Sequence, residues 1–161
     1  MSLDVSAQFP ANKRAGISTE IVVTTKHIPQ LQLVPDDGAQ HYDAIATTLV
    51  TPGSELPFVG ICLLERGMLV EIKSVVVSYA DGSRGRFYVR PEQHEQLLED
   101  AGVYLFAVCR DTPDREVIAL KIVPATTVDA VIGSWIDGGD GRSNYAQLAW
   151  SRVFDACEVE R

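Results

Sequence analysis

The run Met68-Leu69-Val70-Glu71-Ile72-Lys73-Ser74-Val75-Val76-Val77 leaves the chain little choice of local structure. It is nearly continuous in apolar residues and too rich in β-branched side chains to favour helix, so it predicts a central, buried strand. Two charges interrupt it, Glu71 and Lys73, two positions apart. Side chains alternate along a strand, so both point to one face. A carboxylate and an ammonium on a buried face are costly unless they are paired or used in chemistry.

A chain of 161 residues is most economically one domain, and 46% hydrophobic with 22% charged residues is globular composition. No apolar run approaches the roughly 20 residues that cross a bilayer. Met1-Ser2-Leu3-Asp4-Val5-Ser6 lacks the basic and apolar regions of a secretory signal. Cys62, Cys109 and Cys157 are widely spaced and odd in number, which suits reduced thiols and a cytoplasmic location. The net charge of -8 disfavours generic nucleic-acid binding unless basic groups gather on one face or acidic groups hold a metal.

Residues 1–12 carry little pattern and read as a flexible N-terminal arm. Asn12 to Val23 is ambiguous: Asn12 or Ser18 could cap a helix, while Thr19, Val22 and Val23 favour strand. Short extended pieces follow at Leu31–Val34, His41–Val50 and Phe58–Leu64, separated by Asp36-Asp37-Gly38 and Thr51-Pro52-Gly53-Ser54. Glu65-Arg66-Gly67 turns the chain into the Glu71 strand, giving an antiparallel meander.

Asp81-Gly82 makes a tight connection into Arg84–Arg90, where Arg84, Arg86, Tyr88 and Arg90 share one face and Phe87 and Val89 the other. Pro91 opens a helix with His94, Leu97, Leu98 and Ala101 as its inward stripe, and Gly102 ends it. Val103–Cys109 and Val117–Val123 are buried strands around the Asp111–Asp114 turn. Thr127–Ile132 predicts a short helix, Asp137–Gly141 a loop, and Tyr145 to about Cys157 an amphipathic helix with Trp150, Val153, Phe154 and Cys157 inward.

Glu-x-Lys in a strand has a bland explanation, a structural ion pair. Asp43, in a separate strand-like stretch preceded by a turn, supports another. Two carboxylates on adjacent strands, with water and a phosphate oxygen, suit a hard octahedral cation such as Mg²⁺. A lysine two residues from one of them can hold the attacking water and offset charge building on phosphorus. The arginine face is open to two explanations, a solvated surface or bidentate phosphate contact. His27, His41 and His94 suit satisfied core or interface positions, and Trp135, Tyr145 and Trp150 suit core or subunit contacts.

Asp43, Glu71-Ile72-Lys73 and the run Phe87-Tyr88-Val89-Arg90-Pro91-Glu92-Gln93-His94-Glu95-Gln96-Leu97-Leu98 before the Val103–Cys109 strand resemble the PD-(D/E)XK nuclease superfamily, closest to its archaeal Holliday-junction resolvase branch. Arg14-Ala15-Gly16 with Glu20 is similar to that branch's N-terminal motif. His41-Tyr42 stand before Asp43 where the family has Pro, and the literal Pro35-Asp36 sits in a turn.

The resemblance implies a single-domain, restriction-endonuclease-like α/β fold, a mixed central β-sheet flanked by helices. Residues 13–123 would form the core and 124–161 a C-terminal helical extension of the same domain. It implies a Mg²⁺-dependent endonuclease, with Mn²⁺ as a substitute, acting on branched or duplex DNA as a homodimer. Asp43, Glu71 and Glu20 would bind the metal, Lys73 would be the catalytic lysine and Gln93 would help position water. Arg14, Arg84, Arg86 and Arg90 would hold phosphates. The alternatives are an inactive nuclease-fold protein serving as a nucleic-acid-binding or assembly module, and a small-molecule-binding domain in which Glu71–Lys73 is structural.

Overall fold

The computed structural model describes residues 28, 30–34, 43–46, 64–142 and 144–160. In chain order its elements are β1 (Leu31–Leu33), β2 (Ala44–Ala46), β3 (Leu69–Val76), β4 (Arg86–Val89), α1 (Pro91–Glu99), β5 (Val103–Cys109), β6 (Val117–Pro124), α2 (Ala125–Val131), β7 (Ala146–Ala149), a 3-10 turn at Trp150–Arg152, and α3 (Ala156–Val159). Among the described residues the main sheet has the order β1-β2-β3-β5-β6. Its β3–β5 pair is parallel and the other pairs are antiparallel. The expected mixed α/β sheet flanked by helices is therefore present.

The apolar run sits where its composition requires, in the middle of that sheet. Strand β5, buried at every position, lies parallel beside it, with Glu71 opposite Tyr104 and Lys73 opposite Phe106. The α1 crossover makes this parallel pairing possible, since a tight hairpin can join only antiparallel strands. Val75, Tyr104, Phe106 and Val108 line one sheet face, packed against Leu97 of α1, Ala125 and Val128 of α2, and Val159 of α3. Val70, Ile72, Leu105 and Ala107 line the other, with Ile28, Leu31, Ala44 and Leu64.

A second, two-stranded sheet of β4 and β7 lies on the first of these faces. The clean alternation of Arg84–Arg90 holds: Phe87 and Val89 are buried while Arg86 and Tyr88 are exposed. Phe87 reaches Phe106 with ring centroids 4.6 Å apart. The ribbon starts from a turn at the end of β3, where the Tyr79 amide donates to the Ser83 carbonyl and Gly82 takes φ 85°. At Gly85 the ribbon crosses β3 so closely that a Cβ would collide with the Val76 carbonyl oxygen.

Helix α1 begins at Pro91 as expected, but its end differs. Asp100 is the C-cap and Ala101, not Gly102, adopts the left-handed conformation at φ 52°. The Gly102 amide donates to the Leu97 carbonyl at 2.8 Å and the Ala101 amide to Leu98 at 3.2 Å, a Schellman closure. Ala101 is thus exposed rather than inward. Gly102 is needed for contact instead, since a Cβ there would stand 2.8 Å from Leu97 Cγ and 3.1 Å from the Leu69 carbonyl oxygen.

The helix expected over Tyr145–Cys157 is not formed. Ala146, Leu148 and Trp150 alternate inward, and β7 pairs antiparallel with β4, Leu148 opposite Phe87. Only the 3-10 turn and the four-residue α3 follow, and Cys157 is exposed. Tertiary pairing with β4 overrides the helical spacing of Trp150, Val153 and Phe154. Trp150 is fully buried, and its Nε1–H donates to the Val77 carbonyl at 2.7 Å, tying the C-terminal segment to the end of β3. The expectations for the arm at 1–12, for Asn12–Val23 and for most of Phe58–Leu64 lie outside the described residues.

Candidate active site

Asp43 immediately precedes β2, whose register sets Ala44 opposite Val70; continuing it by one residue brings Asp43 across from Glu71. Its backbone is held on both sides, the amide donating to the Val70 carbonyl and the carbonyl accepting from the Val34 amide. Its carboxylate is held too: Oδ2 accepts the Ile72 amide hydrogen at 2.7 Å. Here a side chain takes an acceptor position that the sheet ladder would otherwise fill, so its direction is fixed before any ligand arrives.

Glu71 is buried in β3, and its Oε1 lies 3.1 Å from Lys73 Nζ. Lys73 keeps 19% of its side chain exposed, so the amine reaches from the buried pair toward solvent. Burial pushes the Glu71 carboxyl up to about 7, opposed by the neighbouring Lys73 charge and reinforced by Asp43, whose carboxyl is close enough to share a hydrogen bond with it. Two carboxyls that resist being anionic together, facing one amine, have the charge imbalance that a divalent cation relieves.

The second row is a buried chain of polar groups. Tyr104, opposite Glu71 in the sheet, has its hydroxyl 2.8 Å from His94 Nδ1. His94 Nε2 reaches Asp129 Oδ1 at 2.9 Å, and Asp129 is 59% exposed. Burial, then the Glu71 and Asp129 charges, hold the Tyr104 phenol far above its ordinary range, so it remains a neutral donor or acceptor. The satisfied histidine expected at position 94 is what the fold contains. Its partners Tyr104 and Asp129 were not legible in advance, because they come from β5 and α2.

Asp43, Glu71 and Lys73 thus converge. Gln93 lies half-buried on the first turn of α1, and its side chain makes no hydrogen bond among the described residues. Glu20 and Arg14 lie outside the described residues. Arg84 is engaged by its own fold, its guanidinium 5.0 Å over the Trp150 ring and 4.0 Å from Glu160. Arg86 and Arg90 are exposed.

A cleft of about 450 Å³ opens beside Lys73, lined also by Arg86, Tyr88, Tyr79, Arg115 and Asp111. Arg115 and Tyr79 carry no sequence signal for this cleft, since both stand in turns without a motif. Trp150 is core, as expected, whereas Trp135 is partly exposed.

Whether these residues fit a divalent cation turns on the donor set. Among the described residues no group of three or more His, Cys, Asp or Glu side chains gathers at one point. Two carboxylates are nonetheless what Mg²⁺ commonly takes from a protein, the remaining positions going to water and substrate phosphate. All-oxygen donors with no thiolate or imidazole also match a hard cation. The set fits. None of the described helices is long and apolar enough to cross a membrane.

No curated protein and no solved structure matched significantly. The family model described as a PD-(D/E)XK nuclease superfamily domain matches residues 6–155, nearly the whole chain, and so includes β2, β3, α1 and β5. The carboxylate–x–lysine strand, its acidic neighbour and this match lead to one statement: the chain belongs to the PD-(D/E)XK nuclease superfamily.

Proposed function

We propose that the protein is a divalent-cation-dependent endonuclease that hydrolyses DNA phosphodiester bonds, with Asp43, Glu71 and Lys73 as its working centre. The observation that carries this reading is the approach of the Asp43 carboxyl, fixed by the Ile72 amide, to the buried Glu71–Lys73 pair. Superfamily membership supports nuclease chemistry in general. Asp43 and Glu71 would hold Mg²⁺ or Mn²⁺, whose chemistry when bound is Lewis-acid polarisation of a phosphoryl oxygen.

Asp43, Glu71 and Lys73 then each have a task set by their surroundings. Asp43 is a preoriented oxygen donor that needs little reorganisation on binding. Glu71 supplies the second carboxylate; its burial keeps the centre poorly hydrated, so charges there act more strongly than in water. Lys73 reaches outward, where its ammonium donates hydrogen bonds to the attacking water and to the phosphate oxygen gaining charge. Attack proceeds in line with the departing oxygen. Gln93 helps position the water from α1, and Glu20 supports the acidic end of the centre. Arg14, Arg86 and Arg90 contact flanking phosphates, with Arg84 contributing less because Trp150 and Glu160 already engage it. Resolvase-like selectivity for branched DNA and a homodimer with paired sites belong to the same proposal.

The test is cleavage of labelled four-way-junction and linear DNA with Mg²⁺ or Mn²⁺, by the native protein and by Lys73→Ala. Cleavage that falls at least about 100-fold in Lys73→Ala while DNA binding persists supports the enzyme. Binding by the native protein without any cleavage instead identifies a nuclease fold retained as a nucleic-acid-binding module.

A further inference from the structure

The cleft beside Lys73 contains more than phosphate chemistry requires. Tyr88 is 52% exposed, yet its ring is held from two sides. Its hydroxyl accepts a hydrogen bond from Gln147 Nε2 at 2.7 Å, and the Gln147 Oε1 accepts from Arg86 Nη1 at 3.2 Å. The Tyr145 ring packs against it with centroids 5.6 Å apart. An aromatic face fixed in position and open to solvent contributes nothing to a core; it is suited to receive a flat apolar surface.

The charged groups around it are mostly basic. Among the described residues, Lys73, Arg86 and Arg115 line the same cleft against the carboxylate of Asp111, in a protein of net charge -8. Tyr79 adds a second ring to the lining, and its hydroxyl accepts the Arg86 amide hydrogen at 3.0 Å, bracing the turn that carries it. A cleft of about 450 Å³ lies at the low end of the roughly 300–1,000 Å³ typical of small-ligand sites. That is room for one unpaired nucleotide. A duplex, with its bases stacked inside, offers no base face to Tyr88.

We propose that this cleft binds one unpaired nucleotide of a nucleic-acid strand, its base stacked on Tyr88 and its phosphates between Arg86 and Arg115, next to the Lys73 centre. The inference rests on the nuclease reading and narrows its substrate to nucleic acid with a single-stranded segment beside the bond to be cut. Aromatic stacking combined with a basic track is the general physical basis of single-strand binding without sequence readout.

The experiment is fluorescence anisotropy with a short labelled oligothymidylate and a blunt duplex of equal length, in EDTA at matched salt. The native protein is expected to bind the oligothymidylate about tenfold or more tightly than the duplex. Tyr88→Ala removes that preference and Tyr88→Phe, which keeps the ring, preserves it. Arg115→Ala weakens single-strand binding and lowers the slope of log affinity against log salt by about 0.7. Matching thermal melts exclude a folding defect at exposed Tyr88 and half-buried Arg115. Equal or tighter duplex binding, or an oligothymidylate affinity unchanged in Tyr88→Ala, overturns the inference. Lys73-dependent cleavage of duplex without single-strand preference overturns it alone, whereas no binding to any nucleic acid overturns the nuclease reading as well.

Discussion

Replacing Glu71 by Gln tests the electrostatics of the centre without touching its shape. Burial raises the carboxyl from 4.5 to about 7. Between these values the folded protein holds a proton that the unfolded chain has released, so stability falls as pH rises through this window and levels off above it. The shift corresponds to about 3 kcal/mol, at 1.36 kcal/mol per unit. Gln carries no charge at any pH and resembles the protonated Glu. The two proteins are therefore expected to have equal stability below pH 4.5, and Glu71→Gln to become about 3 kcal/mol more stable above pH 7. For a chain of this size that is roughly 6–12 °C in melting temperature. The assay is urea or thermal unfolding of both proteins across this range. Mg²⁺ is expected to narrow the gap at high pH by stabilising only the native carboxylate. Parallel pH curves for the two proteins would refute the reasoning, because they would show that Glu71 titrates alike in the folded and unfolded chain.

Other consequences are structural. Gly102→Ala forces a methyl against Leu97 and the Leu69 carbonyl and should lower stability by about 1–3 kcal/mol, seen in urea unfolding. Ala101→Gly should instead raise it by up to about 1 kcal/mol, by relieving the left-handed backbone at φ 52°. His94→Leu leaves the buried Tyr104 hydroxyl without its partner at 2.8 Å and should cost about 1–3 kcal/mol. A His94→Leu protein as stable as the native one would show that this buried chain contributes nothing net.

How much of this was legible beforehand depended on whether a signal was local. The β3 run, the buried β5 run and the alternation of Arg84 to Arg90 specify their own burial, and the structure follows them. The Schellman end of α1 is not legible locally, because Gly102 looks like the left-handed residue while Ala101 adopts that conformation. The contacts of Gly102 with Leu97 and Leu69 exist only once the helix has docked. The segment after Tyr145 failed for the same reason: Trp150, Val153 and Phe154 match a helical stripe as well as Ala146, Leu148 and Trp150 match a strand. Only pairing with β4 decides between them. In the site, Asp43 and Glu71–Lys73 were approachable because they belong to strands with a readable pattern. Tyr104, Asp129 and Arg115 were not, since their parts in the network and the cleft depend on elements distant in sequence.

The most direct measurement is single-turnover scission of a labelled DNA strand by the native protein and Lys73→Met at equal DNA occupancy with saturating Mg²⁺. Methionine keeps much of the lysine stem's volume but removes the ammonium beside Glu71. The native protein is expected to cut, and Lys73→Met to be slower by about 100-fold or more at that equal occupancy. Equal rates from the two proteins would contradict the assignment of the Asp43–Glu71–Lys73 centre.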